Sequence, residues 1–247
     1  MKVSGNTILI TGGATGIGFA LAESFVKLGN KVIICGRRKD KLDEAKAKLP
    51  SIATKVCDIS KESDRALLFE WICSEFKDTN ILVNNAGIQR PVDFKKGMQD
   101  ILKNQDEIDI NLKSQIYLAA RFVPILSKRD EAAIVNVSSG LGFVPMAVFP
   151  IYSATKAAIH SFTMSLRHQL KGTAIRVFEV IPPTVHDTEL KGKKIDKTDY
   201  SISAAELADA VIMGLKEDNY EIAAGPSKNF VTASKEQIDQ MFKNINH

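Results

Sequence analysis

Tyr152 and Lys156 stand four residues apart in YSATK, so on a helix they share one face. That pairing can move a proton. A free tyrosine ionises near about pH 10, and an adjacent ammonium favours the phenolate by direct attraction. The spacing therefore predicts a phenol tuned downward by Lys156, able to give a proton to a carbonyl oxygen that receives hydride, or to take one from an alcohol. Ser139 closes the apolar run of IVNVSSGLG, and its hydroxyl can hold the same oxygen. Ser138 is its rival; strand alternation sends the two to opposite sides, so only one faces the site. Asn111 can hold a water that links Lys156 to solvent. Taken singly, the Tyr–Lys pair and Asn111 are equally compatible with ordinary helix positions.

A hydride needs a carrier, and TGGATGIG follows the first apolar run directly. Its glycines, Gly12, Gly16 and Gly18, allow a tight turn that aims a helix N-terminus at an anion, with no Cβ where backbone meets pyrophosphate. The second apolar run ends in VIICGRR. An acidic residue there would bind the free 2′-hydroxyl of NAD, whereas Arg37, helped by Arg38, can fork onto a 2′-phosphate and favours NADP. Asp58, in VCDIS, can accept from an adenine amino group or cap the next helix, as can Ser60. NNAG, ending at Ala86 and Gly87, offers amides and a close approach, or is simply a turn.

The elements that must position these residues alternate along the chain. Short apolar, β-branched runs at 7–11, 31–35, 52–57, 81–84, 133–137, 174–181 and 220–224 predict strands. Helical spacing falls at 16–28, 39–49, 61–76, 104–126, 152–170 and 204–215. Strict alternation predicts one α/β domain over 1–247, a doubly wound fold whose seven-stranded parallel sheet has helices on both faces. Ligands of such sheets sit beyond the carboxyl ends of the strands, where the motifs above fall. The polar stretch 183–201, rich in Lys, Asp and Thr, reads as a mobile lid.

Composition narrows the partners. With 33 basic and 29 acidic residues the net charge is +4, and the lysines are interspersed with acids, which argues against nucleic acid. Cys35, Cys57 and Cys73 have no CxxC spacing and read as core thiols of a reducing, cytoplasmic compartment. The start MKVSGNTILITGG is not a leader, and no run is long enough to span a bilayer. His160 and His168 lack the further ligands a metal would need. His186, in a polar loop, reads as exposed.

In this order and at these distances, TGGATGIG, CDI, NNAG, Asn111, Ser139 and YSATK resemble the short-chain dehydrogenase/reductase family over nearly the whole chain. The resemblance implies a Rossmann fold and an Asn111, Ser139, Tyr152, Lys156 tetrad, and settles Ser139 over Ser138. It implies phosphates over the turn formed by Thr11, Gly12, Ala14, Thr15, Gly16, Ile17 and Gly18, adenine at Asp58 and Ile59, and Asn85 beside the cofactor. Tyr152 and Lys156 would touch that cofactor too. Stretches such as NKVIICGRRKDKLDEA and VIPPTV are similar to the bacterial DltE-type subgroup. The loop IPPTVHDTEL departs from the family's usual Pro-Gly, so Pro182, Val185 and Thr188 are provisional contacts for the carboxamide end and phosphates. Family membership further implies a homodimer or homotetramer through the helices after 104 and 152, where Ala154, Ala157, Ala158 and Ser161 permit close packing. Phe94, Phe143, Val144, Met146, Phe149 and Ile151 can line an apolar substrate pocket or simply pack. The competing readings are a cofactor-binding regulator without turnover and an NAD-preferring dehydrogenase.

Overall fold

The computed structural model describes residues 1–102, 106–188, 190, 196–198 and 200–246. Its sheet is built from β1 (Thr7–Thr11), β2 (Lys31–Gly36), β3 (Ala53–Val56), β4 (Thr79–Asn84), β5 (Ala132–Val137), β6 (Ile175–Ile181) and, late in the chain, Glu221–Ala223. Every pairing is parallel, and the order is β3-β2-β1-β4-β5-β6 followed by the Glu221–Ala223 strand. The expected seven-stranded doubly wound sheet is thus present.

Parallel strands covered on both faces read as continuous apolar runs, and TILIT of β1 is buried at all five positions. Alternation then divides its side chains between two cores. Ile8 and Ile10 pack with Leu21, Ala22 and Phe25 of α1 (Gly16–Lys27) and with Leu42 of α2 (Lys39–Lys48). Leu9 faces the other way, toward Leu68 and Ile72 of α3 (Glu62–Glu75) and Phe122 on the far side. The strand order reverses between β1 and β4, so their carboxyl ends open the crevice where ligands of such sheets bind.

Between β4 and β5 the helix expected at 104–126 is present without a break over residues 106–126, with a π turn inside it. Met98–Leu102 forms α4 and Asp106–Ile108 forms α5; Asp109–Lys113 is a π turn that runs into α6 (Ser114–Leu126). Residues 103–105 lie outside the described residues. A π turn inserts one residue without changing the apolar pattern and is frequently found at functional positions; here it carries Asn111. After β5, α7 (Pro150–Gln169) begins with proline at its first turn, where the missing N–H costs nothing.

The segment expected to be a mobile lid is tied at its ends. β7 (Thr184–Val185) pairs with β8 (Ser201–Ile202), and His186 N donates to Ile202 O at 3.0 Å. Residues 189, 191–195 and 199 of that segment lie outside the described residues. A capping box at Ser203 and Glu206 then starts α8 (Ala204–Lys216), which leads to Glu221–Ala223, now β9, and the terminal helices α9 (Ser227–Val231) and α10 (Lys235–Ile245).

Candidate active site

The glycine turn joins β1 to α1 with Gly12 at φ +64°, a conformation costly to residues with a Cβ. A Cβ on Gly18 would lie 2.4 Å from Gly12 O and 2.6 Å from Asn85 Nδ2, so only glycine permits this closeness. Asn85 explains the compactness: its Nδ2 donates to Thr11 O at 2.9 Å and Gly12 O at 3.2 Å. Thr11 Oγ1 accepts in return from the backbone N–H of Asn85 and Ala86. Thr11 and Asn85, two expected cofactor residues, therefore brace the turn against NNAG.

The start of α1 is left open. Thr15 occupies the cap position with no side-chain cap hydrogen bond, and no acidic residue sits in the first turn. The amides of a helix start without a cap, together with the helix dipole, suit an anion. Thr188, from the segment after β6, lies on the turn, its Cγ2 3.2 Å from where a Gly16 Cβ would stand. At the end of β2 a Cβ on Gly36 would meet nothing within 4 Å, which leaves space for a ribose. Arg37 and Arg38 are exposed beside it, and Arg38 Nη2 reaches Thr15 Oγ1 at 3.3 Å. Asp58 does not cap α3, and neither does Ser60: the helix starts after Lys61, while Asp58 Oδ1 accepts from Ser60 N and Oγ. Ile59 beside it is buried, its carbonyl held by Arg65. These features fit a dinucleotide with a charged phosphate bridge.

Ser139, Tyr152 and Lys156 meet where β5 ends against α7. Ser138 turns away, donating to Glu179 Oε1 of β6 at 2.5 Å, while Ser139 interacts with the Tyr152 phenol. Asn84 Nδ2 donates to Asn136 Oδ1 and Asn136 Nδ2 to Thr163 Oγ1, a buried chain that ties β4, β5 and α7 together under the site. Asn111 is fully buried; its Oδ1 accepts from Ile88 N at 2.9 Å, and its Nδ2 donates to Ile88 O and to Thr155 Oγ1. Gly87 adjoins both Asn111 Oδ1 and Lys156 Nζ. Lys156 Nζ donates to Val137 O at 2.8 Å and lies 5.5 Å from the centre of the Tyr152 ring.

The electrostatics correct one expectation. Burial pushes Tyr152 up to about 12, with the Ser139 hydrogen bond pulling down and the charge of Glu107 pushing further up. Desolvation lowers Lys156 to about 8, against the attraction of Glu107 and Glu179. The phenol is therefore raised where the spacing predicts a lowering, because burial strips hydration from the phenolate. Glu107 and Glu179 were missed in the sequence. A carboxylate inside the buried run VFEVI was the available signal for Glu179, since such a strand is normally apolar throughout.

The other expectations divide. His186 Nδ1 pairs with Ser201 Oγ, Thr188 Oγ1 donates to Val185 O, and Pro182 O accepts from Gly140 N. Of the expected pocket residues, Val144 and Phe149 are buried and Phe143 packs on His160 at 4.6 Å. Phe94 and Ile151 line an apolar cavity of about 300 Å³ with Ile108, Leu112 and Ala154. Among the described residues no helix is long and apolar enough to cross a membrane.

The family model described as short chain dehydrogenase matches residues 6–199. Over its whole length the chain is 47% identical to the oxidoreductase DltE of Bacillus subtilis, covering 98% of that protein. It is 32% identical to the NADP-dependent 3-hydroxy acid dehydrogenase YdfG of Salmonella typhi, over 78% of this chain and 77% of the other. A short chain dehydrogenase from Burkholderia cenocepacia, solved in complex with NADP, superposes with a TM-score of 0.85 at 25% identity, covering 99% of each chain.

Proposed function

This chain belongs to the short chain dehydrogenase family, and on that premise we propose that it transfers hydride reversibly between NADP(H) and a carbonyl or secondary alcohol, with Tyr152 as acid and base. The observation that carries the reading is the meeting of Ser139, Tyr152 and Lys156, all buried, at the carboxyl end of a sheet whose first helix starts without a cap. Bound NADPH supplies the hydride. Tyr152, with its pKa at about 12, keeps its proton at neutral pH and gives it to an oxygen that becomes an alkoxide, a stronger base than phenolate. Ser139 holds that oxygen beside the phenol. Lys156 attracts the phenolate left behind, and Asn111 fixes the segment after NNAG against α7.

The phosphates belong on Gly12, Ala14, Gly16, Ile17 and Gly18, the adenine by Asp58 and Ile59, and the carboxamide end by Pro182, Val185 and Thr188. Preference for NADP rests on Arg37 and Arg38, which follow Gly36 at the end of β2 and are exposed, with no carboxylate at the strand end. Removing one charge-assisted hydrogen bond, roughly 1.5–3 kcal/mol, should raise the NADPH Kd of Arg37→Ala about 10- to 100-fold, with NADH changed less than about twofold. Fluorescence titration reads both, and equal effects on the two cofactors would remove the argument for NADP.

Turnover with ketones, aldehydes and 3-hydroxy acids tests the reading, the last class chosen because the Salmonella relative acts on it. NADPH binding with no turnover on any member would favour a non-catalytic regulator. The small residues Ala154, Ala157 and Ser161, exposed on α7, support a homodimer or homotetramer, which light scattering measures.

A further inference from the structure

Glu107 is buried beside the catalytic pair, yet nothing in the proposed transfer uses it. Its Oε1 accepts weakly from Arg90 N at 3.4 Å, and its Oε2 is buried without a hydrogen-bond partner. Buried polar atoms are almost always paired with protein or ordered water, so a partnerless carboxyl oxygen in polar surroundings is a place for a water. The charged and titratable groups facing Glu107 are Arg90, from the segment after β4, and Tyr152 and Lys156 of α7. Glu179 of β6 faces Lys156 as well. Both amide hydrogens of Asn111 are committed to Ile88 O and Thr155 Oγ1, whereas Glu107 Oε2 is an open acceptor.

We propose that Glu107 is the residue that restores the proton of the Tyr152–Lys156 pair, acting through a water held at its free oxygen. The assignment rests on the hydride-transfer reading. For each carbonyl reduced, carbon takes a hydride from the reduced nicotinamide and oxygen takes the Tyr152 proton. The phenolate regains a proton by way of the Lys156 ammonium, and the amine regains one from the Glu107 carboxylic acid through the water. Solvent then reprotonates the carboxylate; alcohol oxidation runs each transfer in reverse. Burial pushes the Glu107 carboxyl up to about 7, where it exchanges protons both ways near neutrality. Glu107 passes its proton through water and Lys156, so it is a positioning and relay residue, not the group that meets substrate.

The test compares wild type with Glu107→Gln in NADPH-driven reduction across pH. In wild type, kcat should fall as pH rises through the Glu107 titration near 7, because the acid form is the donor. In Glu107→Gln that limb should vanish and kcat should fall about tenfold, below the ~10²–10⁴-fold of a direct general acid, with the NADPH Kd unchanged. A limb near 7 that persists in the variant overturns the proposal, even if kcat drops; the separate fall set by Lys156, which titrates at about 8, remains in both proteins. Should Glu107→Gln fail to fold, Glu107→Asp takes its place, and the limb should move instead of vanishing. Infrared titration of the wild type separates this claim from the wider reading. A protonated-carboxyl band lost with rising pH near 7, and absent or moved in the variant, supports Glu107 even where no substrate turns over. Absence of that band refutes it while leaving hydride transfer intact.

Discussion

Replacing Tyr152 with phenylalanine should lower kcat by about 10³-fold or more, within the ~10²–10⁴-fold typical of a general acid, and leave the NADPH Kd within about twofold. The substitution removes one oxygen and keeps the ring, which sits 5% exposed in a slot packed by its own helix and the loop after β5. Binding surfaces are thus preserved while the phenol that interacts with Ser139 is lost. Stability should fall by no more than roughly 0.5–1.5 kcal/mol, the net worth of the one hydrogen bond lost to Ser139. The pair of readouts matters: a fall in kcat with a matching rise in Kd would indicate a collapsed site and not a missing proton.

Gly18→Ala should be nearly as damaging, through the cofactor instead of the proton. The new Cβ would stand 2.4 Å from Gly12 O, 2.6 Å from Asn85 Nδ2 and 2.9 Å from Gly12 C. Neither neighbour can retreat cheaply. Gly12 N is held by Cys35 O at 2.8 Å, and Asn85 is fixed by Thr11 O. The turn must open or α1 must tilt, so stability should drop by roughly 1–3 kcal/mol, the usual cost of overpacking. The NADPH Kd should rise at least about 100-fold, a loss of about 2.7 kcal/mol. Gly36→Ala is the control. Its Cβ meets no protein atom within 4 Å, so the melting temperature should hold while the methyl group intrudes on the space proposed for the ribose. Unchanged affinity in both variants would place the cofactor elsewhere.

Much of this was legible from residue types and spacing. The run TILIT announced a strand buried on both faces, and its alternation separates the two cores. The four-residue spacing of Tyr152 and Lys156 and the serine at the end of β5 pointed to residues that the fold brings together. What escaped depended on geometry that leaves no periodic trace. The π turn at Asp109–Lys113 adds one residue to a helix whose apolar pattern still reads as continuous, so that turn was invisible. The pairing of Thr184–Val185 with Ser201–Ile202 joins residues too distant and too polar for a hairpin signal. Glu107 lay one turn before Asn111 among other polar residues, Asp106 and Asp109, and its burial became apparent only when α5 was placed against α7. The same burial reversed the expected direction of the Tyr152 shift: spacing reveals a neighbouring charge, whereas desolvation is a property of the assembled site.

Hydride transfer itself is tested most directly by isotope. Wild-type protein incubated with NADPH carrying deuterium at the nicotinamide C4 and a panel of carbonyl compounds should yield an alcohol with deuterium on the carbinol carbon, and Tyr152→Phe should yield almost none. Tight NADPH binding with no deuterium on carbon for any carbonyl, or equal labelling by wild type and Tyr152→Phe, would contradict the account.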